Sequence, residues 1–197
     1  RNEGNFIFEV DMSLLQKIIT KLKTVGIKEI LYLIIKYPFK RLRWYFLLKK
    51  NTDEVFQGIY KKHLWSSSES RSGEGSELSY TENLRSWLIE NIPKYKIRTM
   101  VDSPCGDFNW MKKVLPFLSV QYIGFDIVDD LIKENNEKYS NENISFKNLN
   151  IFKETIPDCD LLMVRDCLFH FSYEDINKFL KNIHRTNYKF LLTTSHI

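Results

Sequence analysis

The run Thr99-Met100-Val101-Asp102-Ser103-Pro104-Cys105-Gly106-Asp107-Phe108-Asn109-Trp110 constrains the fold more than any other stretch of the chain. Met100 and Val101 suit a buried strand, Pro104 and Gly106 break it, and Trp110, Met111, Val114, Leu115 and Leu118 recur at helical spacing. The run reads as strand, acidic tight-turning loop and helix. In a parallel α/β sheet such a junction is where ligands settle, because strand ends and a helix N-terminus converge there. A second strand is expected over residues 120–125, ending on Asp126. A carboxylate at that strand end can accept both hydroxyls of a ribose.

Residues 101–108 resemble the class I S-adenosylmethionine-dependent methyltransferases, whose first strand usually ends in a pattern such as Val-Leu-Asp-x-Gly-Cys-Gly-x-Gly. They are most similar to a branch in which Pro replaces the first Gly and Asp-Phe-Asn-Trp follows the Cys-Gly pair. Pro104 and Phe108 therefore stand where glycines are usual. The resemblance spans residues 55–197 and implies a doubly wound, Rossmann-like α/β sheet that binds S-adenosyl-L-methionine. Right-handed crossovers then give the strand order 3-2-1-4-5. The cofactor residues it implies are Asp102, Pro104, Cys105, Gly106, Asp107 and Phe108 in the first loop, with Asp126 and Ile127 after the second strand.

Further along, a helix is expected over residues 129–139 and a third strand over 144–149. Asn150 and Ile151 then occupy the place where the family often has an Asp and an apolar residue gripping the adenine; an amide can both donate to and accept from that ring. The connection over residues 152–159 is too short for a full crossover helix. The fourth strand, residues 160–165, runs into Asp166-Cys167-Leu168-Phe169-His170-Phe171, so Arg165 and Asp166 emerge beside the methionine half of the cofactor. His170 and Asp166 are the candidate bases for a hydroxyl acceptor. Ser172 N-caps a helix whose apolar face is Ile176, Phe179, Leu180 and Ile183, and residues 188–194 form the fifth strand. The family has two more strands, which are missing from this sequence.

Ahead of the first strand lie three regions. Residues 12–50 hold ten lysines and arginines against one acid, Glu29, although the whole chain carries only +4. Their apolar positions follow helical spacing, so residues 1–50 read as a basic amphipathic helical appendage that contacts a membrane surface peripherally or packs on protein. Residues 51–80 comprise a short helix around Val55, Phe56, Ile59 and Tyr60, then the low-complexity run from Ser66 to Ser76. That run reads as a flexible linker by composition; the resemblance, through a similar Ser-Gly-x-Gly-Ser segment ahead of the family's first strand, implies instead a lid in which Arg71, Ser72, Gly73 and the following backbone meet the methionine carboxylate. Residues 81–197 form the cofactor-binding domain. Its first helix is expected to open with the capping box Ser79-Tyr80-Thr81-Glu82, to bury Leu84, Leu88 and Ile92, and to end at Pro93.

Composition excludes several alternatives. Hydrophobic residues make up 43% and charged residues 27% of 197, the balance of a folded chain rather than a disordered one. The longest apolar run, residues 30–35, is far short of the roughly 20 residues of a membrane-spanning helix. Cys105, Cys159 and Cys167 form neither a CxxC pair nor a cluster with the four histidines, so no metal is expected and a reduced, cytoplasmic protein is. The expected activity is methyl transfer to a small-molecule or glycan hydroxyl. A nucleic-acid methyltransferase is the alternative permitted by the basic appendage, but the chain has Arg165-Asp166-Cys167-Leu168 in place of an Asn-Pro-Pro-Tyr-type base-reading motif. A non-catalytic cofactor-binding or assembly module is the third.

Overall fold

The computed structural model of the protein describes residues 52–65 and 67–194. The appendage expected over residues 1–50 lies outside them. Five parallel strands form one sheet: β1 (Thr99–Asp102), β2 (Gln121–Asp126), β3 (Ile144–Asn148), β4 (Cys159–Val164) and β5 (Tyr188–Thr193), in the order β3-β2-β1-β4-β5. The expected order 3-2-1-4-5 is the observed one. Val101 pairs with Ile123 of β2 on one side and with Leu162 of β4 on the other, which puts the end of β1 at the centre of the sheet.

Alternation along the strands builds a core on both faces. Met100, Tyr122, Leu161 and Met163 point to one face, where they pack with Leu88 and Ile92 of helix α2 (Leu78–Lys94) and Leu131 and Ile132 of helix α3 (Asp129–Tyr139). Val101, Phe125, Leu162 and Val164 point to the other and meet Phe179 and Ile183 of helix α4 (Tyr173–Ile183). Each face is thus closed by helices. Helix α1 (Thr52–Lys61) adds Tyr60 to the first core.

Four local expectations are corrected. The residues after Trp110 form two short 3-10 turns, Met111–Lys113 and Leu115–Phe117, rather than an α-helix. Their amides bond three residues back, Val114 to Met111 and Leu118 to Leu115, and Pro116 has no amide hydrogen with which to continue a helix. Trp110, Met111, Val114 and Leu115 are buried all the same, so the apolar spacing was satisfied by turns. Secondly, α2 begins at Leu78, before the proposed capping box, because the carboxylate of Glu69 accepts the Leu78 amide at 2.9 Å from outside the helix. Pro93 sits inside its last turn instead of ending it. Thirdly, Leu180 of α4 is exposed, leaving Phe179 and Ile183 as the buried face; Ser172 does cap that helix, accepting from the Asp175 amide. Finally, β3 stops at Asn148 and β5 at Thr193, each one residue earlier than expected.

Candidate functional site

A cavity of about 390 Å³ opens at the C-terminal ends of the central strands, within the range of small-molecule sites. Asp102, the last residue of β1, forms part of its wall and is almost fully buried. The hydroxyl of Tyr122 donates to Asp102 Oδ2 at 2.7 Å, while Oδ1 is buried with no protein partner. Burial pushes the Asp102 carboxyl up to about 7; the Tyr122 hydrogen bond and the charge of Arg165 work against that rise, and Asp126 adds to it.

Asp126, at the end of β2, lines the same cavity. Its Oδ2 accepts the Gly106 amide and its Oδ1 the Val128 amide, both at 3.1 Å. Burial pushes this carboxyl up to about 6, opposed by those backbone donors. Each carboxylate oxygen can accept two hydrogen bonds, so acceptor capacity remains on the cavity side. Gly106 between them has φ 57°, and a Cβ there would lie 2.4 Å from Ser72 Oγ. The loop can therefore approach residues 67–76 this closely only with glycine at 106.

Residues 67–76 are bound to the first loop. Asp107 accepts from Ser70 Oγ at 3.0 Å and from the Arg71 amide at 2.8 Å, and its own amide donates to Ser72 Oγ at 2.9 Å. Glu69 accepts from Asn109 Nδ2 at 2.6 Å. These bonds tie the segment to the first loop as a packed strap. Ser72, Gly73, Glu74, Gly75 and Ser76 line the cavity. Arg165 ties them to β4: it donates to the Gly75 carbonyl at 2.7 Å, pairs with Asp166 at 2.8 Å, and lies over the rings of Trp110 and Tyr80.

Pro104, Cys105, Ile127, Ile151, Arg165, Asp166 and His170 also border the cavity, so most of the proposed site residues converge. Three do so differently from expectation or not at all. Arg71 turns away and pairs with Tyr60 and Glu134, because its opposite charge lies on α3. Asp107 is spent on the strap. Phe108 is buried against Tyr122, Tyr139 and Phe146, a core residue with φ 59°. Asn150 borders the cavity while its amide also holds the protein: Nδ2 donates to Asp53 at 2.9 Å and Oδ1 accepts from the Phe152 amide at 3.0 Å.

His170 stands in the turn Leu168–His170 with its ring against Phe169, Trp65 and Phe56. Desolvation by these neighbours lowers its pKa from the ordinary 6.5, while the carboxylate of Asp166 works the other way. Asp166, at φ 48°, is held by Arg165 and by Thr194, whose hydroxyl donates to it at 3.1 Å. Phe56, Trp65, Tyr80, Trp110 and Phe171 complete the apolar wall. The sequence held no sign of their role, since α1, the residues just after it, α2, the β1 loop and the β4 loop each bring only one of them. Among the described residues no group of three or more His, Cys, Asp or Glu is arranged to hold a metal ion, and no helix is long and apolar enough to cross a membrane.

A family model described as an O-methyltransferase domain matches residues 86–189, just over half of the chain, covering strands β1 to β4 and the start of β5. The chain belongs to the O-methyltransferase domain family. This is a class I, S-adenosylmethionine-dependent family. No curated protein matches the chain. Among solved structures, human N-acetylserotonin methyltransferase in complex with SAM is 17% identical, with 70% of this chain and 39% of that one covered and a TM-score of 0.46. LaPhzM is 15% identical, with 92% and 50% covered and a TM-score of 0.47. Phosphoethanolamine N-methyltransferase 1 of Haemonchus contortus, solved with phosphoethanolamine and S-adenosylhomocysteine, is 16% identical, with 70% and 31% covered and a TM-score of 0.48. This O-methyltransferase domain thus spans half or less of each of those three chains.

Proposed function

We propose that the protein binds S-adenosyl-L-methionine in this cavity and directs methyl transfer to a hydroxyl of a small molecule or glycan. The observation that carries the reading is the pair of buried carboxylates at adjacent strand ends, Asp126 with acceptor capacity left over and Asp102 with an unpartnered Oδ1. Two such acids in one cavity call for a ligand bearing both hydroxyls and a cationic donor. The cofactor has a ribose and an ammonium group, and the residues fit it: Asp126 for the ribose, Asp102 for the ammonium, Ile127 and Ile151 for the flat apolar ring, and the backbone of residues 73–76 for the carboxylate. We also assign the chain to the branch defined by Pro104-Cys105-Gly106-Asp107-Phe108-Asn109-Trp110.

When bound, the cofactor supplies an electrophilic methyl group. The chain's own contribution is to hold two reactants in line at near-attack distance, an effect worth on the order of 7–11 kcal/mol. His170 takes the acceptor's proton on its imidazole, which its surroundings keep in the neutral, basic form. Asp166, held by Arg165 and Thr194, is the weaker candidate base because both oxygens already accept hydrogen bonds or ion pairs. We further propose a cytoplasmic location, on the strength of three buried, unpaired cysteines, with membrane-surface or protein contact through residues 12–50.

The test is turnover with methyl-labelled cofactor across a panel of hydroxylated small molecules, glycans and nucleic acids. Label is expected in a hydroxyl of one of the first two classes. His170→Ala should lower that turnover by about 10² with cofactor affinity unchanged, and the wild-type rate should fall only below the ordinary histidine range. Label appearing in nucleic acid would refute the acceptor class, and full turnover in the variant would remove His170 from the chemistry.

A further inference from the structure

We infer that Tyr122 is a positioning residue for the cofactor: its buried hydroxyl fixes the Asp102 carboxylate so that Oδ1 is presented to the ammonium group of the amino-acid half. The inference rests on the cofactor reading above and deepens it. Tyr122 lies inside β2 with its ring wedged between Phe108 and Phe146 and is 1% exposed. Phenylalanine would pack as well in that setting, so the hydroxyl has to be explained by the bond it makes. Its one described partner is Asp102 Oδ2, at 2.7 Å. A ring that cannot move fixes the donor, the donor fixes the carboxylate, and the second oxygen of this cavity-lining residue is left buried with no hydrogen-bond partner in the protein.

The arrangement also sets the charge state of Asp102. Burial and the neighbouring Asp102 carboxylate push the Tyr122 phenol well up, so it stays protonated and remains a donor. Around Asp102 the hydrogen bond from Tyr122 on β2 and the cation of Arg165 after β4 favour the carboxylate. Burial and the carboxylate of Asp126 at the end of β2 disfavour it. Cys105 of the loop is itself pushed well up by burial and stays a neutral thiol. Without the phenol, Asp102 holds its proton to higher pH and meets an ammonium group less often as a carboxylate.

Tyr122→Phe in the full chain, titrated with two probes, tests this. S-adenosylhomocysteine carries the ammonium group, and 5′-methylthioadenosine lacks the whole amino-acid half. The variant should bind S-adenosylhomocysteine about tenfold more weakly near neutral pH, with a smaller deficit at pH 9, and should bind methylthioadenosine as the wild type does. Asp102→Asn should show the same discrimination between probes, and adding Tyr122→Phe to it should cost nothing further. Equal weakening toward both probes, or none toward either, would overturn the positioning role while leaving the cofactor reading intact. A wild-type chain that binds neither probe would overturn both.

Discussion

Asp102 carries a cost that shows in the protein without ligand. Its carboxyl is pushed from 3.8 to about 7 by burial, so between those values the folded state holds a proton that the unfolded chain has released. The folded state is therefore penalised progressively as pH rises from about 4 to about 7, and the penalty is full above that. Asp102→Asn removes the titration and keeps the bond from Tyr122, since an amide oxygen also accepts. Allowing for the amide nitrogen it leaves unpaired, the variant should be more stable than wild type by on the order of 1–2 kcal/mol at pH 8, with the advantage shrinking toward pH 4. Thermal melts of the two proteins across that range check the sign; a variant less stable at pH 8 would contradict it. At this scale the sequence was informative where a residue's place in the strand decides its surroundings. Asp102 and Asp126 end parallel strands, and both line the cavity at those strand ends. The partners of Arg71 and Asn150 were not legible, because Glu134 and Asp53 lie 63 and 97 residues away in the chain.

Among the elements, the strap over residues 67–76 depends on Asp107. That one side chain receives the Ser70 hydroxyl and the Arg71 amide, and its backbone reaches Ser72, so its removal frees the strap from the loop that forms the floor of the cavity. Hydrogen bonds to a carboxylate are worth about 1.5–3 kcal/mol. Asp107→Ala should speed proteolytic cleavage within residues 67–76 about tenfold and weaken S-adenosylhomocysteine binding to a similar degree, with the melting temperature of the sheet domain little changed. Unchanged cleavage would show that Glu69 and Arg165 suffice to hold the strap. Composition alone did not show this element's packing, because what orders it is a set of polar contacts to Asp107 and Asn109 and not an apolar pattern. The turns after Trp110 were hidden for the opposite reason: burial of Trp110, Met111, Val114 and Leu115 produces helical spacing whether or not the backbone closes an α-helix.

At the scale of the molecule, five parallel strands in the order β3-β2-β1-β4-β5 place the ends of β1, β2 and β4 side by side, and Asp102, Asp126 and Arg165 stand at those ends. This topology was legible because alternating apolar strands and right-handed crossovers leave few other arrangements. The shape of the cavity was not, since Phe56, Trp65 and Tyr80 reach it from segments ahead of the sheet. On the proposed function, the two buried carboxylates Asp102 and Asp126 receive an adenosyl amino acid. Calorimetric titration of S-adenosylhomocysteine into the wild-type chain and Asp126→Ala tests it most directly: the prediction is one site in the wild type, weakened about 10- to 100-fold in the variant by loss of the ribose acceptor. Equal affinity in the two proteins, or no binding to the wild type, would contradict it.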